Sequence, residues 1–116
     1  MKQTERSLQR AILDYLDRLN IFAAHIPNGA VLAGNPTQRA RQMNSLKRDG
    51  LRNGMPDLLL ISKNGSVGFC EVKLEGARTQ PSQHDMHALL RGRGQSVAVV
   101  RSVADVQDTL KEWKWI

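Results

Sequence analysis

The 116-residue sequence has one cysteine, one tyrosine, two phenylalanines and two tryptophans, and its acids are outnumbered by its bases. Each shortage excludes something. With Cys70 alone, an internal disulfide and a multi-cysteine zinc site are both ruled out, which suits a reducing, cytoplasmic setting. Aromatic residues make up only 4% of the chain, too few for base stacking to dominate a nucleic-acid contact. No apolar run approaches the roughly 18 residues of a membrane span. The opening Met1-Lys2-Gln3-Thr4-Glu5-Arg6 has no signal-peptide apolar stretch behind its charges. There is no internal repeat, and the length suits a single domain over residues 1–116. With 41% hydrophobic and 24% charged residues, the composition is that of a globular chain able to bury a core. Positive charge is what the chain has in excess: 17 Lys and Arg against 11 Asp and Glu, a net +6. Such a field points to a polyanionic partner, most often nucleic acid.

Hydrophobic spacing sets out the elements. Leu8, Ile12, Tyr15, Leu16 and Leu19 recur every three or four residues, which predicts an amphipathic helix from Thr4 to Asn20 with Thr4 as N-cap. A short strand from Ile21 to Ile26 should end in the turn cluster Pro27-Asn28-Gly29. Residues 30–56 are interrupted by Gly34, Pro36, Gly50, Gly54 and Pro56, leaving a helix conceivable only over Arg39–Lys47. This segment carries Arg39, Arg41, Lys47, Arg48 and Arg52 against the single acid Asp49. It reads either as a solvated basic surface or as a phosphate-contacting loop. Asp57–Ser62 and Ser66–Leu74 are strand-like runs joined by the hairpin signal Lys63-Asn64-Gly65. Both runs are apolar on both faces, so helices are expected on each side of the sheet. A helix from Pro81 to Arg91, a strand from Ser96 to Arg101 and a helix from Val103, capped by Ser102, complete the chain. In the last helix Val103, Val106, Leu110 and Trp113 form the inner stripe. The order of helix, strand, basic segment, strand, strand, helix, strand, helix predicts an α/β fold: a mixed sheet with a central antiparallel hairpin, flanked by helices.

Glu71 and Lys73 break the apolar pattern, sharing one face of a strand that otherwise reads as buried. An acid and a base are costly there unless paired, metal-bound or facing a cleft. Where Asp57 points depends on the turn. A two-residue Asn64-Gly65 turn pairs Lys63 with Ser66 and sends Asp57 to the face opposite Glu71. A three-residue loop with Gly65 left-handed pairs Ser62 with Ser66 and sets Asp57 across from Glu71, Cβ atoms about 5 Å apart. The three-residue loop is the expectation. Carboxylates that close raise one another's pKa unless a divalent cation lies between them, and hard oxygen ligands suit Mg²⁺ or Mn²⁺. Glu5 extends the Leu8, Ile12, Leu16 stripe by one turn, and Gln83 similarly precedes Met86 and Leu90. Each is either a site residue or an ordinary first-turn polar group, and helix-start electrostatics favours Glu5 at such a position. His84 and His87 are three apart on a helix but lack a third ligand of matching spacing for zinc. His25 is expected to border the core or the cleft, and Cys70 to be an inert core residue.

Pro56-Asp57, thirteen residues, then Glu71-Val72-Lys73 resembles the PD-(D/E)xK nuclease signature, with a hairpin joining its halves. Together with Gly54-Met55-Pro56-Asp57-Leu58, Gln83, Val97-Ala98-Val99-Val100-Arg101-Ser102 and Glu5, the chain looks like the virus-type replication-repair nuclease (VRR-NUC) family over nearly its whole length. One departure is Gln80, where the family typically has Ser three residues before the helix glutamine. The resemblance implies a restriction-endonuclease-like core and Mg²⁺-dependent (or Mn²⁺-dependent) phosphodiester cleavage. Asp57, Glu71 and the Val72 carbonyl would hold the metal, with Glu5 joining through a water or a second ion. Lys73 would orient or deprotonate the attacking water or stabilise developing charge, and Gln83 would orient Lys73, the water or a phosphate. The resemblance further implies a structure-selective endonuclease of phage or bacterial origin, acting on branched DNA such as Holliday junctions as a homodimer. Arg39, Arg41, Lys47, Arg48, Arg52, Arg78, Arg91 and Arg93 would contact the DNA backbone. Two competitors are a non-catalytic basic DNA-binding module on the same fold and a restriction-type endonuclease. Intact Asp57, Glu71 and Lys73 argue against the first, and the short chain without an evident recognition domain argues against the second.

Overall fold

Thr4 starts the first helix through a reciprocal cap. Its Oγ1 accepts from the Ser7 N–H (3.0 Å) while Ser7 Oγ accepts from the Thr4 N–H (2.9 Å). The structure, a computed structural model, describes residues 2–27 and 32–116. Helix α1 (Glu5–Arg18) buries Leu8, Ile12 and Leu16, the stripe its spacing predicts. Then come β1 (Phe22–His25), α2 (Pro36–Arg48), β2 (Leu58–Ile61), β3 (Val67–Val72), α3 (Pro81–Gly92), β4 (Ser96–Val100) and α4 (Val103–Glu112). Ser102 caps α4 as expected, its side chain accepting from the Asp105 N–H. Beyond Pro27, the turn expected at Asn28 and Gly29 lies outside the described residues.

Helix α2 corrects the reading of residues 30–56 as a broken segment. Asn35 Oδ1 accepts from the Gln38 N–H, and Gln38 Oε1 accepts from the Asn35 N–H, both at 2.9 Å. Pro36 then occupies the first turn, where its missing N–H has no partner to lose. A residue that ends helices from inside begins this one. Helix α2 buries no residue and packs against no other helix or strand among the described residues.

The four strands lie in the order β1-β2-β3-β4, the first two pairs antiparallel and β3/β4 parallel. In the central hairpin Leu58 faces Cys70 and Ile61 faces Val67. The ladder closes with the Ser62 N–H on the Ser66 carbonyl (2.8 Å) and the Gly65 N–H on the Ser62 carbonyl (3.0 Å). Gly65 has φ 88°, a conformation that favours glycine, so the three-residue loop is the one formed.

One sheet face carries Leu58, Leu60, Cys70, Val72 and Val100, packed against Leu8, Ile12 and Leu16 of α1 and Val106 and Leu110 of α4. Each such side chain contributes about 1.5–3 kcal/mol on burial, so this layer is the core. The other face has α3 against β4. Toward β1 no described helix covers it, and Phe22 is 59% exposed and Val67 37%. Helices therefore cover one face fully and the other only in part, because α2, the helix between β1 and β2, does not fold back onto the sheet. No described helix is long and apolar enough to cross a membrane.

Candidate active site

Strand pairing brings Asp57 and Glu71 together. The register Leu58–Cys70, carried one pair further, sets Asp57 opposite Glu71. Asp57 is fixed from both sides. Its carbonyl accepts from the Ile26 N–H (2.7 Å) and lies 3.1 Å from His25 Nδ1, while its Oδ2 accepts from the Val72 N–H (2.8 Å). The backbone is tied to β1 and the carboxylate to the end of β3. Gly54, three residues earlier, lies against the first turn of α3: a Cβ there would overlap the Ser82 carbonyl oxygen. Only glycine lets the chain entering Asp57 approach that helix so closely.

Glu71 is 1% exposed on the face opposite Cys70. Burial above all pushes its carboxyl up to about 9. A hydrogen bond with Asp57, the charge of Asp57 and, more weakly, that of Glu5 act in the same direction, and Lys73 partly offsets them. Lys73 follows β3 directly, its N–H held by the Val100 carbonyl (3.0 Å). Glu5 is exposed at the start of α1, near enough to act on Glu71 by charge. His87, 3% exposed on α3, brings Nε2 to 3.4 Å from Glu71 Oε1. Its pKa is lowered by burial first, then by Arg91, His84 and Lys73, against a raising influence of Asp57. His84 turns elsewhere, with Nε2 2.6 Å from Thr79 Oγ1.

A buried carboxyl in contact with a half-buried one shares a proton or a cation. Among the described residues no group of three or more His, Cys, Asp or Glu side chains could hold a metal ion. The pair of side chains that could hold a cation here is Asp57 and Glu71. That fits Mg²⁺, which is bound through one or two carboxylates and keeps several waters, better than a four-ligand zinc site.

Residues 3–104 match the model of the VRR-NUC domain. The chain belongs to the VRR-NUC domain family. A solved VRR-NUC domain is similar at 28% identity and TM-score 0.66, covering 93% of this chain and 94% of its own. A second solved VRR-NUC domain protein, at 19% identity and TM-score 0.71, covers 97% of this chain and 89% of its own, and shows the shared fold. No curated protein matches. VRR-NUC is a nuclease family with a PD-(D/E)xK-like fold, so the fold expected from the sequence is the fold found.

In this VRR-NUC domain the remaining expected residues separate into groups. Gln83 is partly buried in the first turn of α3, and its Oε1 accepts from the Gln80 N–H (2.8 Å). The glutamine thus secures the helix start that Gln80, lacking a side-chain cap bond, leaves open, while its amide NH₂ keeps both donors for the site. Arg78 lines an open cleft of about 480 Å³ with Thr79, His84 and Arg101, in the loop after Lys73. Arg101 braces that loop, donating from Nη1 to the Leu74 and Ala77 carbonyls (both 2.7 Å). Arg39, Arg41, Lys47 and Arg48 are exposed on α2, with Arg52 exposed just beyond. Arg91 and Arg93 sit at the other end of α3, Arg91 about 12 Å along the axis from Gln83. Arg91 also donates to the Val97 carbonyl (2.9 Å). Sequence reasoning missed His87 as a neighbour of Glu71. The signal was available: four residues after Gln83, it lies on the same helix face.

Proposed function

We propose that this VRR-NUC domain is a Mg²⁺-dependent endonuclease that hydrolyses DNA phosphodiester bonds in branched substrates such as Holliday junctions, acting as a homodimer. The observation that carries the reading is Glu71, buried at 1% exposure against Asp57 with Lys73 on the same strand face. A protein that only bound DNA would gain stability by replacing Glu71 with an apolar residue. Asp57, Glu71 and the Val72 carbonyl would hold the ion. When bound, Mg²⁺ or Mn²⁺ supplies Lewis acidity, lowering the pKa of a coordinated water and offsetting charge on phosphate oxygens.

The protein's own groups do the rest. Lys73 orients the attacking water and neutralises charge developing on the phosphate. The Gln83 amide NH₂ donates to a phosphate oxygen or the water, and Glu5 accepts from waters around the ion. Arg78, in the cleft at the loop that follows Lys73 in sequence, and the arginines of α2 attract the strand carrying the scissile phosphate. Homodimerisation is supported by the uncovered half of the sheet and by an α2 that packs against no other helix or strand among the described residues. A two-fold pair of sites is what paired cuts in a junction require.

The test is incubation with four-way junction, flap, single-stranded and plain duplex DNA, with Mg²⁺ or with EDTA. Junction cleavage with Mg²⁺ and none with EDTA is expected. Asp57→Ala and Lys73→Ala should each lower cleavage by 10²-fold or more while DNA binding persists. Failure to cut any substrate with Mg²⁺ or Mn²⁺, despite salt-sensitive binding, sinks the proposal.

A further inference from the structure

Helix α3 buries two residues, Met86 and His87, and the second is a histidine facing a carboxylate. An imidazole 3% exposed on a packed helix face needs a polar partner, since leaving its ring nitrogens dry and unpaired is costly. Glu71 Oε1, 3.4 Å from Nε2, is that partner. The direction of the contact follows from Glu71. An ionised carboxylate only accepts hydrogen bonds, so a Glu71 that holds a cation must receive the hydrogen from His87 Nε2–H. The two carboxylates then have separate donors: the Val72 N–H on Asp57 Oδ2 and His87 on Glu71 Oε1. At 3.4 Å the second is long, and contacts of this kind tighten when a site loads.

We propose that His87 is a positioning residue: it donates from Nε2 to Glu71 Oε1 and aims that carboxylate at the divalent cation. The proposal rests on the reading of Asp57 and Glu71 as the cation site and extends it to a residue outside the Asp57, Glu71, Lys73 and Gln83 set. Donors behind a metal-binding carboxylate fix its rotation, and losing such a donor typically weakens metal binding 10–100-fold.

The experiment is calorimetric titration of the metal-free protein with Mn²⁺, for wild type, His87→Leu and His87→Gln. The leucine keeps bulk but has no donor, whereas the glutamine amide nitrogen reaches about as far as Nε2. His87→Leu should weaken Mn²⁺ binding about 10-fold or more and raise the Mg²⁺ concentration for half-maximal cleavage by a similar factor. His87→Gln should recover most of both. Wild-type Mn²⁺ affinity in His87→Leu, or equal losses in the two variants, overturns the proposal, the latter because it assigns His87 a packing role only. If His87→Leu does not fold, ¹⁵N spectra of the wild-type imidazole decide: saturating Mg²⁺ should shift the Nε2 resonance of His87, and an unmoved resonance overturns the proposal. A wild type that binds no Mn²⁺ removes the cation site and the nuclease reading with it. Tight binding indifferent to His87 removes this proposal alone.

Discussion

Folding places the Glu71 carboxyl against Asp57 and away from water, so the metal-free protein retains a proton there far above the pH at which a free glutamate loses it. The consequence for stability has a definite sign. Glu71 titrates near 4.5 when unfolded and is raised to about 9 when folded, so between those values the folded state binds more protons. Stability from this group is complete below about pH 4.5 and declines as pH rises through the window to 9. Glu71→Gln keeps the shape, removes the titration and leaves a neutral donor beside Asp57. In EDTA, it is therefore expected to raise the melting temperature by several degrees at pH 8 and by much less at pH 5, while abolishing cleavage. Thermal melts across pH check this. An equal change at both pH values would mean that the buried carboxyl does not set the pH dependence. The same substitution should remove most of the stabilisation that wild type gains from Mg²⁺, because ligand linkage requires a site to bind.

At the scale of elements, legibility followed how local the determining physics is. The caps of α1 and α4 were readable because Thr4 and Ser102 act within one turn. The register of β2 on β3, and with it the meeting of Asp57 and Glu71, hung on a single φ at Gly65, which the sequence allows but does not compel. Helix α2 was hidden because Gly34 and Pro36 look like breakers until Asn35 is recognised as the cap that makes Pro36 a first-turn residue. Gln83 was found for its face, but its hydrogen bond back to the Gln80 N–H at the start of α3 was not. His87 required knowing which strand α3 lies on, a tertiary fact. Because α2 buries no residue and packs against no other helix or strand among the described residues, its charges can be removed without touching the core. Replacing Arg39, Arg41, Lys47 and Arg48 together by Ala should leave the unfolding free energy within about 0.5 kcal/mol of wild type. Each lost phosphate contact should lower the salt slope of duplex binding by about 0.9, roughly 3 in all if most of the four engage. Binding isotherms from 50 to 200 mM salt measure it. A slope equal to wild type would make α2 a solvated surface and not the DNA contact.

The whole molecule is larger than its length requires. Its radius of gyration is 15.5 Å, against about 13 Å for a compact domain of this size. It is also flat, with extents of 48 × 39 × 23 Å, as expected when one face of a sheet is only partly covered and a helix stands apart. The uncovered face is apolar: register and alternation put Phe22, Ile61 and Val67 side by side, with Leu59 next to them. Phe22 at 59% exposure on an edge strand is a liability for a monomer and a natural centre for a self-complementary contact. A second copy seated there by a two-fold axis would supply the missing layer and hold the two Asp57–Glu71 sites at a fixed separation. Phe22→Glu puts a charge in that contact without entering the core layer under α1 and α4. Sedimentation equilibrium at micromolar concentration should give a dimer for wild type and a monomer for Phe22→Glu, with unchanged far-ultraviolet circular dichroism. On a four-way junction the variant should cut the two strands independently, accumulating singly nicked product, because its two cuts no longer occur within one complex. A wild type that stays monomeric at 100-fold higher concentration, as on the order of 100 μM, refutes the dimer. A Phe22→Glu protein that remains dimeric moves the contact off this face.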